Sequence, residues 1–391
     1  MGGAAMLAAT LEQVSRRFPV ATCSLLSITP DADRAVGRAD VAVVDARPLL
    51  LVGLYMPLAL LLWPVARFKV VRRQLLARIP FFKALIEADA VIDLCGIAFA
   101  DGRGLPLLVY NVVCCLPAFA VGTRVFKLAQ ALGPFKTQPN RWLARFVLRR
   151  CAAVVARGET TLSHLAELGI EGAVVRPDTS FAMTVTDAHR AAAARLMPTL
   201  APGRRLLICS PSEVVRRLCL GKGIPFEDVL TEFLQRRLAD AWNVVLVPHS
   251  LGRGASKNND VDLSRRILAR LPAGEAGMIE PVEEPQVLRA VIGRADLFVG
   301  CRFHSVVAAL AMGVPSLVIG WSHKYREMTD MLQPGDWTID WSTFSVETAE
   351  ARFLAMAADL QAIGDIIRHR LPGVCVMAED NYALMERALQ R

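Results

Sequence analysis

The chain has 391 residues, 53% of them hydrophobic and 21% charged, with 45 Lys and Arg against 37 Asp and Glu for a net charge of +8. That length and composition suit two sizeable cores and exclude a disordered chain. The positive balance suits an anionic small substrate or anionic lipid, whereas 7% aromatic residues and the lack of a zinc-type Cys/His spacing or basic zipper argue against nucleic acid.

Residues 1–15 lack the basic start and apolar core of a signal peptide, so a cytoplasmic protein is expected. None of the nine cysteines forms a CxxC, and Cys95, Cys209 and Cys301 sit in apolar stretches, as small buried hydrophobes in a reducing compartment do. VATCSLLSI reads as the first strand, and Asp31 and Asp33 as a turn. The segment 49–78 then breaks the pattern. Its apolar part, Leu49 to Val65, holds Pro57 and Pro64 and is followed by Arg67, Lys69, Arg72, Arg73 and Arg78. A buried or cleft-lining helix pair, a peripheral element docking on the inner face of the cell membrane, and a span are the three readings of it.

Beyond it, AVIDLCG, GTRVFKLAQA, CAAVVA and GAVVRPD read as strands with helical stretches such as TTLSHLAELG between them. The helical pattern carrying Arg145, Arg149 and Arg150 beside Trp142 and Phe146 reads as a solvated or domain-facing surface. MPTLAPGRR, residues 197–205, reads as a linker. LLICSPS, NVVLVPHS, AGMIEPV, ADLFVG and PSLVIGWS then repeat the rhythm as short runs of the kind buried on both faces. Alternating strands and helices of this kind predict two doubly wound, parallel-sheet, Rossmann-like domains facing a cleft. The expected boundaries are 1–196, 205–345, and C-terminal helices over 346–391.

In such folds ligands bind at the carboxyl ends of strands, beside helix N-termini. GCRFHSVVAALAMGVP, residues 300–315, puts Arg302 and His304 at such a place, between the strand ADLFVG and a short helix of small apolar residues. Arg302 either meets an anionic ligand or pairs with a local acid. His304 either works there or caps and packs the helix start. Other strand ends carry similar residues: Arg157 after CAAVVA, Ser210, Arg216 and Arg217 after LLIC, His249 after VVLVP, and His323 and Lys324 after PSLVIGW. With Phe303 and Ser305 of the same turn they suit a multiply anionic ligand. Asn258, Asn259, Asp260 and Asp262 form a loop open to a sugar-hydroxyl role, and no cluster has a trusted metal-ligand spacing.

GCRFHSVVAALAMGVPSLVIGWSHKYREM resembles the signature of the polysaccharide pyruvyl transferase family: a strand, Arg-x-His, a small-residue helix, Gly-x-Pro, a further strand and a Lys. GGAAMLAATLEQV resembles the family's Gly-rich opening, LAQALGPF its Gly-Pro segment, VVARGETTLSHLAELGI its Arg-acid turn and RPDTSFAM its Asp-x-x-Phe element. Two departures stand out: no strand precedes Gly2, and DLCGIAFADG has fewer glycines than the family's segment there. The resemblance implies a fold similar to two-domain glycosyltransferases. It also implies transfer of a pyruvyl group from phosphoenolpyruvate to a sugar of a cell-surface polysaccharide or a lipid-linked oligosaccharide, commonly as a cyclic ketal. No cofactor is then expected, since phosphoenolpyruvate is the donor substrate. Arg302 and an arginine from 157 or 216–217 would hold its anionic groups. His304 is the first choice for proton transfer, with His249 and His323 in reserve. A nucleotide-sugar glycosyltransferase is the main rival, although Ala308 stands where many such enzymes have a Glu. A catalytically silent, membrane-docked binding protein is the other.

Overall fold

The computed structural model describes residues 1–36, 40–66, 68, 76–252 and 258–390. The chain divides into two compact units, one of Met1–Ala9 with Ser180–Val376, the other of Thr10–Thr179 with Met377–Arg391.

The first unit is built on a parallel sheet of β8 (Leu206–Ser210), β9 (Asn243–Leu246), β10 (Ala276–Met278), β11 (Leu297–Gly300), β12 (Ser316–Gly320) and β13 (Thr338–Asp340), in the order β10-β9-β8-β11-β12-β13. Strands β8, β9, β11 and β12 are buried along their whole length, as expected of apolar runs covered on both faces. Strand β13 was not legible, because Thr-Ile-Asp offers one apolar residue at a sheet edge.

The second unit holds β1 (Cys23–Ser27) paired in parallel with β2 (Val41–Asp45), and a separate parallel sheet of β3 (Ala90–Asp93), β5 (Arg124–Leu132), β6 (Ala153–Ala156) and β7 (Val174–Val175), with the short β4 (Ile97–Ala98) on β5. Asp31 and Asp33, expected in a turn, begin a helix over Pro30–Val36, where acids favour the exposed N–H groups of the first turn.

The apolar part of segment 49–78 is one helical run from Pro48 to Ala66 that passes through a π turn at Leu51–Tyr55. Pro57 cannot donate to the carbonyl four residues back, and the wider turn just before it absorbs that loss. Leu51, Tyr55 and Ala59 face the core, where Tyr55 stacks on Phe81 with ring centres 4.1 Å apart. Arg67, Lys69, Arg72 and Arg73 lie outside the described residues.

The chain passes between units at 179/180 rather than within 197–205. The reason is that the helix Asp187–Leu196, started by a Thr186/His189 capping box, packs against the helix Pro285–Ile292 of the same unit. The residues after 345 likewise form no unit of their own. Phe353, on the helix Val346–Ala358, packs against Phe233 and Trp242 of the first unit, and the final helix Leu360–Leu389 runs into the second after Val376.

Candidate active site

In the first unit the chain lays strands outward in one direction from β8 and in the other from β11. The strand order therefore reverses between β8 and β11, and in folds of this kind the carboxyl ends of the strands at such a point are where ligands bind. Ser210 ends β8 in register with Gly300 at the end of β11, and the Cys301 N–H donates to the Ser210 carbonyl at 3.0 Å. Gly300 is required at this junction: a Cβ there would lie 2.5 Å from the Phe298 ring and 2.6 Å from Val306 Cγ2.

Two buried polar groups at this junction have no hydrogen-bond partner among the described residues. One is the Ser210 hydroxyl. The other is the His249 ring, just beyond β9, both of whose nitrogens are buried. Burial pushes the pKa of His249 well below that of an ordinary histidine, and the nearby charges of His304 and Arg302 push it the same way. The ring is therefore neutral at neutral pH, with one donor and one acceptor. Leaving such groups unsatisfied costs about 1–3 kcal/mol each, which marks them as candidates for a ligand.

Arg302 precedes the helix Phe303–Leu310 and is drawn into an ion pair. Its Nε donates to Asp260 Oδ2 at 2.8 Å and its Nη2 to Asp260 Oδ1 at 2.6 Å. Asp260 is fully buried and also accepts the backbone N–H groups of Glu213 and Ser250. One carboxylate thus ties together the segments that follow β8, β9 and β11. The local-acid reading of Arg302 is correct for one edge of the guanidinium, and Nη1 is the group left over. Asp260 is no solvent-facing sugar contact, and its neighbour Asn259 caps the helix Asp260–Leu268 through Val261 N–H.

Phe303 is buried, and His304 is half-buried in the first helical turn with its ring edge-on to Phe303 at 5.2 Å. Gly2 packs here as well: a Cβ on it would fall 2.2 Å from His304 Nδ1. Ser305 is turned inward, its hydroxyl donating to the Arg302 carbonyl at 2.8 Å, so it holds the turn rather than facing a ligand. Lys324 places its ammonium 5.1 Å from the Phe303 ring centre, 4.7 Å from Trp321 and 5.6 Å from Tyr325. The aromatic faces fix that charge beside the Phe303–His304 turn. His323 opens the helix that carries Lys324, and its side chain lies outside the described residues.

The other arginines are occupied. Arg216 donates twice to Glu213 at 2.8 Å and reaches Glu227 at 3.4 Å, while Arg217 bonds the Glu213 carbonyl and Asn258. Both are held by Glu213, an acid one helical turn away on the same helix. Arg157 belongs to the second unit, where it is buried between Asp178 Oδ2 at 2.8 Å and the Gly96 carbonyl at 2.7 Å. That bond ties down the Gly-poor segment around residue 95. Beside it Lys127, fully buried, pairs with Asp93. Burial opposes that ion pair, yet Lys127 still holds the Asp93 carboxyl below its usual range.

Reading the sequence alone missed two groups. One is the clamping role of Asp260, which only its zero exposure reveals. The other is Arg289, buried in the helix Pro285–Ile292, donating to the carbonyls of Met183 and Ser180 and adding positive charge near His249.

Residues 1–323 match the sequence model of a family described as polysaccharide pyruvyl transferase. Among solved structures, the UDP-GlcNAc 2-epimerase from Neisseria meningitidis bound to UDP-GlcNAc aligns with a TM-score of 0.61 and 11% identity, over 98% of this chain and 96% of that one. The Anabaena protein HepE in complex with UDP and glucose gives 0.56 and 14%, over 97% and 94%. A glycosyltransferase from Rickettsia africae gives 0.54 and 11%, over 100% and 94%. At these identities the likeness is one of fold: two Rossmann-like domains of the kind found in such glycosyltransferases and epimerases.

Proposed function

The chain belongs to the polysaccharide pyruvyl transferase family, and from that premise we propose that it transfers the pyruvyl group of phosphoenolpyruvate to a sugar of a cell-surface polysaccharide or glycolipid precursor, forming a cyclic ketal. The observation that carries the donor assignment is the pair of buried, unpartnered polar groups, Ser210 and His249, at the switch point beside Arg302 and Lys324. Phosphoenolpyruvate brings a carboxylate and a phosphate. Arg302 Nη1 and the Lys324 ammonium supply positive charge, and Ser210 and the neutral His249 supply hydrogen bonds.

The balanced reaction runs as an addition and then a displacement, both at C2 of the donor. A sugar hydroxyl oxygen bonds to C2 while C3 takes up a proton and becomes a methyl group. The second hydroxyl then displaces phosphate from C2, closing the ketal, and its proton leaves with the phosphate. His304, half-buried beside the Arg302 turn, is the group we assign to deliver the proton to C3 or remove it from the hydroxyl. A cytoplasmic setting is part of this reading, and the thiols of the first unit are structural. Burial pushes Cys209 up to about 12 and Cys219 to about 11, which leaves them inert.

The nucleotide-sugar reading is favoured by the ligands named for the structural relatives. Melting curves separate the two. Phosphoenolpyruvate at 100 times its dissociation constant should stabilise the protein by about 2.7 kcal/mol, with UDP-sugars inert. A shift with UDP-sugars alone would replace this reading, and no shift with either would favour a silent binding protein.

A further inference from the structure

The second unit carries a helical run, Pro48–Ala66, without a charged residue, whose one phenol, Tyr55, is buried. Along the helical run Pro48–Ala66, the side opposite Leu51, Tyr55 and Ala59 presents Leu54, Leu60 and Val65 to solvent, with Leu61 74% and Leu49 88% exposed. A surface helix of a water-soluble domain has polar residues there. The helix Leu105–Val113 touches both the turn at Leu51–Tyr55 and the helix Gln138–Leu148, so both border one helix. The last of them exposes Trp142 by 69%, between Arg141 and Arg145, with Arg149 and Arg150 beyond its end.

These four arginines differ from arginines elsewhere on the surface. Arg236, Arg266, Arg270 and Arg352 each meet an acid within 3.0 Å. Arg141, Arg145, Arg149 and Arg150 have no ion pair among the described residues; Arg141, Arg149 and Arg150 donate to the carbonyls of Glu167, Gly169 and Phe146, and Arg150 lies 3.9 Å from the Phe146 ring centre. Residues 138–150 contain no acid, and the sequence after the apolar helix adds Arg67, Lys69, Arg72 and Arg73. Leucines to enter an acyl boundary, an exposed Trp of the kind found at headgroup level, and unpaired guanidinium groups form one chemical combination.

We propose that this side of the second unit docks peripherally on an anionic lipid bilayer through the helices Pro48–Ala66 and Gln138–Leu148. The argument uses nothing from the donor site, so neither proposal falls with the other.

The test is co-sedimentation of the full chain with vesicles of phosphatidylglycerol mixed into phosphatidylcholine, and with phosphatidylcholine alone. Binding is expected to the anionic vesicles and to be released by high salt. Arg145→Glu with Arg149→Glu should weaken it at least about twenty-five-fold, since each basic residue near the surface is worth roughly fivefold. Leu60→Glu with Leu61→Glu should abolish it. Both pairs are exposed, so melting temperatures should match the parent, and a pair that fails to fold is replaced by Trp142→Ser. Failure to sediment with either vesicle overturns the proposal. So does equal binding to both that only detergent releases, which would mean a span. Self-association abolished by Leu60→Glu with Leu61→Glu, without vesicle binding, would make the surface an interface between copies and overturn it too.

Discussion

Asp260, with no exposed surface, accepts two hydrogen bonds from one edge of Arg302, at 2.6 and 2.8 Å, and two more from the backbone N–H groups of Glu213 and Ser250. A buried carboxylate used in this way fixes where an arginine points and which of its nitrogens remains for a ligand. Removing one partner of a buried pair leaves an uncompensated charge. Asp260→Asn should therefore cost about 3–5 kcal/mol of stability, read from urea unfolding. A loss below about 1 kcal/mol would show that the clamp does not hold these segments together.

Arg302→Lys keeps the charge and loses the planar fork. One of the two bonds to Asp260 goes, together with the Nη1 donor, and each charge-assisted bond is worth about 1.5–3 kcal/mol. The expected result is a loss of stability together with a KM for phosphoenolpyruvate raised roughly ten- to hundredfold. An unchanged KM in folded protein would confine Arg302 to its structural pairing.

His304→Gln keeps size and hydrogen bonding but has no titrating proton. Turnover should fall about 10²–10⁴-fold with donor affinity nearly intact. Gly2→Ala gives an independent reading, because its Cβ would displace the His304 ring. It should lower kcat more than it changes the melting temperature. Wild-type turnover in both variants would move the proton-transfer role to His249 or His323.

His249 predicts a pH dependence of stability. In the unfolded chain a histidine titrates near 6.5, whereas in the folded protein burial holds its pKa well below that. As pH falls below about 6.5 the unfolded state takes up a proton that the native state refuses, so stability falls. His249→Gln removes this contribution and should flatten the curve between about pH 7 and pH 5, by up to roughly 1.4 kcal/mol per pH unit. Parallel curves for parent and variant would mean that the native ring titrates normally.

Much of this architecture is legible in the sequence, because a strand buried on both faces is a bare apolar run. LLIC, NVVL, LFVG and SLVIG all fall within strands. The turn after LFVG is legible too, since charged residues between two apolar elements must be accounted for. Pairing is what the sequence conceals. Arg216 and Glu213 are three residues apart and their ion pair was within reach of helical spacing, but Arg302 and Asp260 are 42 apart and meet only through the sheet order. The division at 179/180 was hidden for a similar reason. The Pro- and Gly-rich stretch at 197–205 looks like a boundary, and only the packing of 187–196 on 285–292 shows that it is a loop within one unit.

The central claim is the reaction, and acceptor-dependent release of inorganic phosphate from phosphoenolpyruvate tests it most directly, with mass spectrometry of the sugar product in the same tubes. Across a panel of free and lipid-linked sugars carrying neighbouring hydroxyls, at least one acceptor should trigger phosphate release and gain one pyruvyl ketal per phosphate, and His304→Gln should suppress both together. Release of UDP from a nucleotide sugar onto the same acceptors, with phosphoenolpyruvate untouched throughout, would contradict the account.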